Sequence, residues 1–112
     1  AEYQTALADT PLTLPTIAEA NTSVWAQYTV LSPDRDQLRE NLQAAGIATN
    51  SYYTIPLNKQ PVFQLPGRRN RNLSCTEDVV KKSLSLPIAH SANRRSFNRI
   101  ITSIKGAICA DQ

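Results

Sequence analysis

Apolar and polar residues alternate along residues 24–31, and this alternation predicts a β-strand. Successive side chains on a strand point to opposite faces of the sheet. One predicted face carries Val24, Ala26, Tyr28 and Val30. The other carries Trp25 and Leu31 among polar residues. Because both faces contain apolar side chains, the pattern favours a central position in the sheet.

A helical period follows this strand and predicts a helix after the run Ser32-Pro33-Asp34. A serine can cap free amides, a proline fits the first helical position, and an aspartate faces the positive end of the helix dipole. Gly46 is suited to the left-handed conformation that ends many helices, and Ile47 can pack back on the last turn. The buried stripe of this helix would be Leu38, Leu42 and Ala45.

Three further helices are predicted, at residues 2–8, 74–83 and 93–109. The first looks like the end of a longer helix. In the second, Ser74 and Glu77 fit a capping box, and its two valines would be buried. The last has apolar residues every three or four positions, at Phe97, Ile100, Ile101, Ile104, Ala107 and Ile108.

Residues 47–55 and 84–88 are predicted strands, whereas residues 12–17 are either a short edge strand or an extended linker between prolines. Residues 67–72 are predicted to form an exposed loop rich in arginine and asparagine. The fold class is therefore α+β. It comprises a small antiparallel or mixed sheet of three to four strands covered by helices, in one domain of residues 1–112.

Length and composition narrow the class of protein. A chain of 112 residues can bury a core without disulfides or metal. It has no apolar run long enough for a membrane span and no signal-peptide pattern, so we expect a cytoplasmic protein. Cys75 and Cys109 are then expected to be reduced, although the sequence leaves a disulfide open. The chain begins with alanine and lacks methionine, which suggests a piece of a longer protein.

A candidate binding surface follows the second predicted strand. Tyr52 and Tyr53 would point to opposite faces, one into the core and one to the surface. Two prolines then bracket a polar loop that contains Asn58, Lys59 and Gln60. Such a loop at the end of a rigid strand suits ligand binding, although an ordinary solvated turn has the same pattern.

No self-sufficient catalytic site is recognisable in the sequence. The single histidine, His90, lies in a predicted loop, and no zinc spacing, nucleophile elbow or phosphate-binding glycine loop is present. Of the four lysines, only Lys59 lies near the candidate loop. We therefore assign no catalytic residue and no metal to the chain, and expect it not to be an enzyme by itself.

The net charge of +3 leaves a second class of function open. Arginines at positions 68, 69 and 71 would give the 67–72 loop affinity for phosphate groups. A free-standing α+β module that binds RNA or another polyanion is therefore the alternative hypothesis. No aromatic residues are interleaved with these arginines, which argues against a stacking platform for nucleic acid.

Several ordered motifs resemble the C-terminal part of the DegT/DnrJ/StrS sugar aminotransferase family. They begin with Gln27-Tyr28-Thr29-Val30, Arg35-Asp36-Gln37-Leu38 and Gly46-Ile47-Ala48-Thr49. They continue with Tyr52-Tyr53, Pro56-Leu57-Asn58, Gln60-Pro61, Glu77 and Leu84-Ser85-Leu86-Pro87. The likeness covers nearly the whole chain.

This resemblance implies the small C-terminal domain of a pyridoxal-phosphate enzyme with the aspartate-aminotransferase-like fold, working as a homodimer. Family members usually transfer an amino group from glutamate to a nucleotide-linked keto-sugar. The large domain, with the Schiff-base lysine, would lie outside this chain, which would bind no cofactor alone. By position, the substrate side of the cleft would receive Tyr52, Tyr53, Asn58 and, more weakly, Gln60.

Two positions depart from the family pattern. Asn58 stands where the family usually has histidine, and Thr54 where proline is common. Asparagine keeps hydrogen bonding but cannot titrate, so an acid–base role at this position is in doubt. A domain with a purely structural or oligomerisation role is a third hypothesis.

Overall fold

Two antiparallel strands lie at the centre of the computed structural model, which describes residues 2–67, 72–88 and 93–109. Strand β1 (Tyr28–Leu31) pairs with strand β2 (Ser83–Leu86). Paired residues lie side by side on one face, so one face is apolar and the other mostly polar. The apolar face consists of Tyr28 opposite Leu86 and Val30 opposite Leu84. All four side chains are buried.

The sheet has two strands, where three or four were predicted. Residues 12–17 contribute a single bridge, between Thr13 and Leu31, and residues 47–55 contribute another, between Asn50 and Ser85. Each of these segments therefore meets one edge of the central pair and then leaves it. After Asn50 the chain runs into irregular structure and short 3₁₀ turns instead of pairing further.

The first strand is also shorter than predicted, because it begins at Tyr28 and not at Val24. Trp25 has a φ of 50°, which is incompatible with a regular strand. Its ring still packs on Tyr28, with the ring centroids 5.1 Å apart. Val24 is 94% exposed. The alternating pattern of residues 24–27 therefore describes an irregular surface segment.

Four helices accompany the sheet: α1 (Glu2–Ala6), α2 (Arg35–Ala44), α3 (Ser74–Lys82) and α4 (Arg94–Cys109). Helices α2 and α4 pack on each other, and α3 packs on β1. The mixed α+β class is thus confirmed. None of the helices in the described parts of the chain is long and apolar enough to cross a membrane.

The predicted end of α2 is confirmed, but its predicted start is wrong. Gly46 has a φ of +76°, and the amide of Ile47 donates to the carbonyl oxygen of Leu42 at 2.9 Å. At the start, Asp34 is the cap residue and its side chain makes no capping hydrogen bond. Ser32 is buried, and its amide donates to the carbonyl oxygen of Lys82. Ser32, the residue expected to cap α2, is therefore paired with the end of the sheet instead.

The predicted capping box of α3 does not form. Leu73 is the cap residue and no side chain caps the helix. Glu77 instead forms an ion pair with Lys59, with Oε1 and Nζ 2.8 Å apart. Of the two valines predicted to be buried, Val79 is 46% exposed and Val80 is only partly buried. Helix α3 therefore presents apolar surface to its surroundings.

The core joins the apolar face of the sheet to α1, α2 and α4. Its buried members outside the sheet are Tyr3, Leu7, Leu12, Leu38, Leu42, Ile47, Ile104 and Ala107. The ring of Tyr3 packs between Tyr28 and Phe97, at centroid distances of 4.9 and 5.3 Å. The hydroxyl of Tyr3 donates to the carbonyl oxygen of Pro87 at 2.7 Å. Burial, with a smaller effect from nearby Tyr28, raises the pKa of Tyr3 to about 12.

Candidate functional site

Residues 52–65, here called the 52–65 segment, expose an unusual number of large apolar side chains. Tyr53, Leu57 and Val62 are the most accessible, at 73%, 71% and 71%. The exposed set comprises Tyr52, Tyr53, Ile55, Leu57, Val62, Phe63 and Leu65. Scattered apolar residues on a surface are normal, whereas their concentration in one segment makes it a candidate interaction surface.

The segment leaves the sheet from two fixed residues. Asn50 forms a two-way backbone bridge with Ser85, with N···O distances of 3.1 and 2.7 Å. Ser51 follows, and its Oγ accepts a hydrogen bond from Arg35 Nη1 at 3.3 Å. The start of the 52–65 segment is therefore held by both backbone and side-chain contacts.

Arg35 is the main residue that sequence reasoning missed. Its side chain is only 9% exposed, and Nη1 also donates to the carbonyl oxygens of Val80 and Ser83, at 3.2 and 3.1 Å. Its Nε pairs with the exposed carboxylate of Asp36 at 2.6 Å. Arginine is normally found at the surface, so its position in the first turn of α2 gave no signal of burial.

Tyr52 and Tyr53 lie together at the surface, so the prediction that one of them would pack in the core is wrong. Their rings contact edge to face, with centroids 5.8 Å apart, and the peptide bond between them is cis. The hydroxyl of Tyr52 accepts a hydrogen bond from Asn50 Nδ2 at 2.9 Å. Tyr53 is the more exposed of the two. The pair presents two aromatic edges and two hydroxyl groups.

Asn58 and Gln60 lie in or beside the two 3₁₀ turns Leu57–Lys59 and Pro61–Phe63. The side chain of Gln60 reaches back to the carbonyl oxygen of Ile55 at 3.4 Å. The Oδ1 atom of Asn58 is buried and has no hydrogen-bond partner among the described residues. Within the part of the chain that the structure describes, neither residue makes a hydrogen bond with the tyrosine pair.

Tyr52 also lines an open depression of about 320 Å³ beside the sheet. Its polar lining comes from the side chains of Gln27, Thr49, Asn50, Tyr52 and Ser85. These groups are amides and hydroxyls, which can both donate and accept hydrogen bonds. The surface around Tyr52 can therefore hold a neutral, hydroxyl-rich group.

The four lysines of the chain lie at its surface. Lys59, Lys82 and Lys105 form ion pairs with carboxylates on the surface, at N···O distances of 2.8, 3.0 and 3.0 Å. Lys81 is exposed. A Schiff-base lysine needs an enclosed site with a partner for the cofactor nitrogen and a phosphate-binding cup. Among the described residues, three of these lysines are instead paired with carboxylates.

Neither a metal-binding cluster nor a disulfide occurs among the described residues. Those residues contain no group of three or more histidine, cysteine, aspartate or glutamate side chains able to hold a metal ion. Cys75 and Cys109 are exposed free thiols. The arginines at positions 68, 69 and 71, together with His90, lie outside the described residues. The predicted arginine loop is therefore without a structural test here.

Comparison with known proteins gives matches to sugar aminotransferases along most of this chain. The profile of the DegT/DnrJ/EryC1/StrS aminotransferase family matches residues 1–105. The dTDP-3-amino-3,4,6-trideoxy-alpha-D-glucose transaminase of Streptomyces venezuelae is 33% identical over 106 residues, which are 94% of this chain and 28% of that protein. The UDP-2-acetamido-2-deoxy-3-oxo-D-glucuronate aminotransferase of Pseudomonas aeruginosa is 46% identical over 88 residues, which are 79% of this chain and 24% of that protein.

Solved structures give the same result for the fold. The S. venezuelae protein DesV, in complex with a ketimine intermediate, superposes with a TM-score of 0.85 at 32% identity, over 95% of this chain and 29% of that one. Bacillus subtilis NtdA, with the cofactor PMP bound, shares the fold with a TM-score of 0.73 at 23% identity, over 96% of this chain and 26% of that one.

The matches cover most of this chain but only a part of each relative. This chain spans less than a third of the length of each relative and structure it matches. The match nevertheless runs along almost all of its own residues. The exposed tyrosine pair and the polar turns after it lie within the matched range. On this evidence, the chain belongs to the DegT/DnrJ/EryC1/StrS aminotransferase family.

Proposed function

We propose that this chain is the small C-terminal domain of a pyridoxal-phosphate-dependent aminotransferase that acts on a nucleotide-linked keto-sugar. Two kinds of observation support the proposal. The relatives named above are transaminases of dTDP-linked and UDP-linked sugars, and they are about three to four times as long as this chain. The surface lysines of this chain, all outside any enclosed site, suit a domain whose cofactor is held elsewhere.

In this proposal, the cofactor and the sugar substrate are bound by different parts of the protein. Pyridoxal phosphate, when bound, acts as an electron sink that allows an amino group to be transferred. The Schiff-base lysine and the phosphate-binding groups would come from the rest of the protein, and the working unit would be a homodimer. The residues of this chain would bind and orient the sugar substrate and exclude water from the cleft.

The 52–65 segment is the observation that carries the proposal. It combines exposed apolar side chains with tyrosine hydroxyls and side-chain amides, and its start is fixed to the sheet. Apolar groups of this kind favour docking against another surface, because docking removes them from water. Hydroxyls and amides both donate and accept hydrogen bonds, which suits a polyhydroxyl ligand. We assign this role to Tyr52, Tyr53, Asn58 and Gln60.

Asn58 has a further feature that supports this role. Its Oδ1 atom is buried without a hydrogen-bond donor among the described residues. An unsatisfied buried acceptor costs roughly 1–3 kcal/mol, so a docked donor would be stabilising. A sugar hydroxyl or a donor from the large domain could satisfy it. Asparagine does not titrate, so the role at this position is hydrogen bonding and not proton transfer.

The test uses the full-length protein loaded with pyridoxal phosphate and assayed with nucleotide-linked keto-sugars. Tyr53→Phe removes only a hydroxyl group, and Asn58→Ala removes an amide. Each variant is expected to raise the KM for the sugar about twofold to tenfold, the effect of losing one hydrogen bond of about 0.5–1.5 kcal/mol. Gln43→Ala, which removes an exposed amide on α2, is the matched control and should leave KM unchanged.

Unchanged kinetics in Tyr52→Phe, Tyr53→Phe and Asn58→Ala together would contradict the assigned role. That result would favour a structural or oligomerisation domain. A full-length protein that fails to transaminate any nucleotide-linked keto-sugar, although it binds pyridoxal phosphate, would overturn the proposed substrate class.

A further inference from the structure

We propose that Arg35 is a positioning residue that sets the orientation of the 52–65 segment, and thereby the affinity for the sugar substrate. The second half of this inference rests on the proposed function, whereas the first half rests on geometry alone. Among the described residues, Arg35 makes no hydrogen bond with either tyrosine. It acts through Ser51, the residue immediately before the pair.

The guanidinium group of Arg35 joins three parts of the fold at one nitrogen. Nη1 lies 3.3 Å from Ser51 Oγ, 3.2 Å from the carbonyl oxygen of Val80 and 3.1 Å from that of Ser83. Val80 belongs to α3 and Ser83 begins β2. The side chain starts in the first turn of α2 and ends where the 52–65 segment departs. Arg35 therefore links Ser51 to both helices and to the start of β2.

The electrostatics explain why an arginine is needed here. Burying an isolated charge is costly, so the guanidinium requires hydrogen bonds and a counter-charge. The carboxylate of Asp36 provides the counter-charge at 2.6 Å. The carbonyl oxygen of Val80 lies in the last turn of α3, where the helix dipole is negative. A lysine keeps the charge but cannot present the same planar array of donors.

The other attachments of the segment are weaker or lie further along it. Asn50 fixes the chain before Ser51 through its backbone bridge, and its Nδ2 donates to the hydroxyl of Tyr52 at 2.9 Å in an exposed hydrogen bond. The ion pair between Lys59 and Glu77 holds the first 3₁₀ turn, with side chains 53% and 23% exposed. Exposed pairs of this kind contribute little because water and salt screen them. The residue from which the tyrosine pair departs is therefore held by the contact between Arg35 and Ser51, together with the hydrogen bond that Ser51 Oγ donates to the carbonyl oxygen of Ser83 at 3.4 Å.

Hydrogen exchange tests the geometric half of the inference in the full-length protein. Ser51→Ala, Arg35→Lys and the double variant are compared by mass spectrometry of peptides covering residues 50–65. Exchange there is expected to be about twofold to tenfold faster, the effect of losing one hydrogen bond. Peptides from α4 should be unchanged. Arg39→Lys is the matched control, because Arg39 lies on the same helix and has no polar side-chain contact with the described residues.

Steady-state kinetics test the functional half on the same variants. The KM for the keto-sugar should rise, whereas kcat should change little, because the variants disturb binding and not the cofactor. The double variant should be less impaired than the sum of the two single variants, because the contact between Arg35 and Ser51 is lost in each of them. Ser51→Ala keeps the test usable if Arg35→Lys fails to fold.

Two results would overturn the inference or its foundation, and they are distinguishable. Unchanged exchange of residues 50–65 in Ser51→Ala and Arg35→Lys would show that Arg35 does not position the segment. Faster exchange with an unchanged KM for the sugar would support the positioning role and show that the proposed sugar contact is wrong.

Discussion

At the scale of single residues, polar side chains make up most of one face of the sheet. Thr29 Oγ1 and Ser85 Oγ are 2.7 Å apart across the two strands, and both serines of β2 are buried. Arg35 covers the end of this face. On the apolar face, Tyr28 is 2% exposed, its hydroxyl has no partner among the described residues, and burial raises its pKa. The hydroxyl groups of Thr29 and Ser85 are therefore held by a hydrogen bond, whereas that of Tyr28 is held by the packing of its ring.

Tyr3 provides a prediction at this scale. Its hydroxyl donates to the carbonyl oxygen of Pro87, at the end of β2. Tyr3→Phe in the intact protein should lower the free energy of unfolding by about 0.5–1.5 kcal/mol at neutral pH, the usual contribution of one hydrogen bond. Urea denaturation of both proteins measures the difference. No change would contradict the hydrogen bond, and Thr102→Val, at an exposed position of α4, controls for loss of a surface hydroxyl.

The same variant has a pH dependence with a definite sign. The pKa of Tyr3 is about 12 in the folded protein, against 10.0 for an ordinary tyrosine. Below pH 10 both states keep the proton, so the stabilisation is fully present. Between pH 10 and 12 the unfolded chain loses its proton first, so the free energy of unfolding falls as pH rises. The difference in free energy of unfolding between the natural protein and Tyr3→Phe should therefore become smaller above pH 10. A difference that stays constant between pH 10 and 12 would contradict the raised pKa of Tyr3.

At the scale of elements, the junction between α2 and α4 depends on one glycine. Gly46 ends α2 at a φ of +76°, and a Cβ added there would lie 3.3 Å from Arg99 Nη2. That nitrogen donates to the carbonyl oxygen of Ala45 at 2.8 Å and so completes the last turn of α2. The left-handed backbone of Gly46 and the nearby side chain of Arg99 both disfavour any residue other than glycine at this position.

Two glycine-to-alanine substitutions should therefore have opposite effects. Gly46→Ala is expected to lower the free energy of unfolding by about 1–2 kcal/mol, because alanine is disfavoured in the left-handed region. Gly106→Ala should raise it by about 0.5–1 kcal/mol, because Gly106 lies inside α4 with open space around its Cα. Thermal denaturation distinguishes them, and a Gly46→Ala variant as stable as the natural protein would contradict this account of Gly46.

At the scale of the whole molecule, most exposed apolar side chains are concentrated in one stretch. The 52–65 segment carries seven of the twelve large apolar residues that the described chain leaves exposed. Val79 of α3 adds to the total at 46% exposure. The core itself is fully shielded from solvent at its centre, where four side chains are 0% exposed: Leu7, Leu42, Leu84 and Ile104. A folded centre with one extended apolar arm is the form expected of a domain that docks on another.

We predict that residues 1–112 expressed alone associate as their concentration rises. Association would bury the apolar surface of the 52–65 segment and remove it from water. The double variant Leu57→Lys and Val62→Lys should shift the chain toward the monomer, as measured by analytical ultracentrifugation. Thr102→Lys, at an exposed position of α4, adds charge without removing apolar surface and is the control. Equal association of all three proteins would show that another surface is responsible.

Local sequence determined the helices and the end of α2. Their periodicity, and the glycine at position 46, depend on neighbours within a few residues, so the sequence alone predicts them. The tyrosine pair and the polar turns were recognised as a candidate site for the same reason, since their residue types are suited to a surface. The family resemblance rested likewise on motifs that are contiguous in the chain.

Only the tertiary structure decided the number of strands, the burial of Arg35 and the direction of the 52–65 segment. Strand pairing depends on residues far apart in sequence, so an alternating pattern such as residues 24–27 or 47–55 cannot establish that a partner is present. The capping predictions for α2 and α3 were wrong for a related reason. Ser32 joined the end of the sheet and Glu77 paired with Lys59, because long-range contacts competed successfully with local ones.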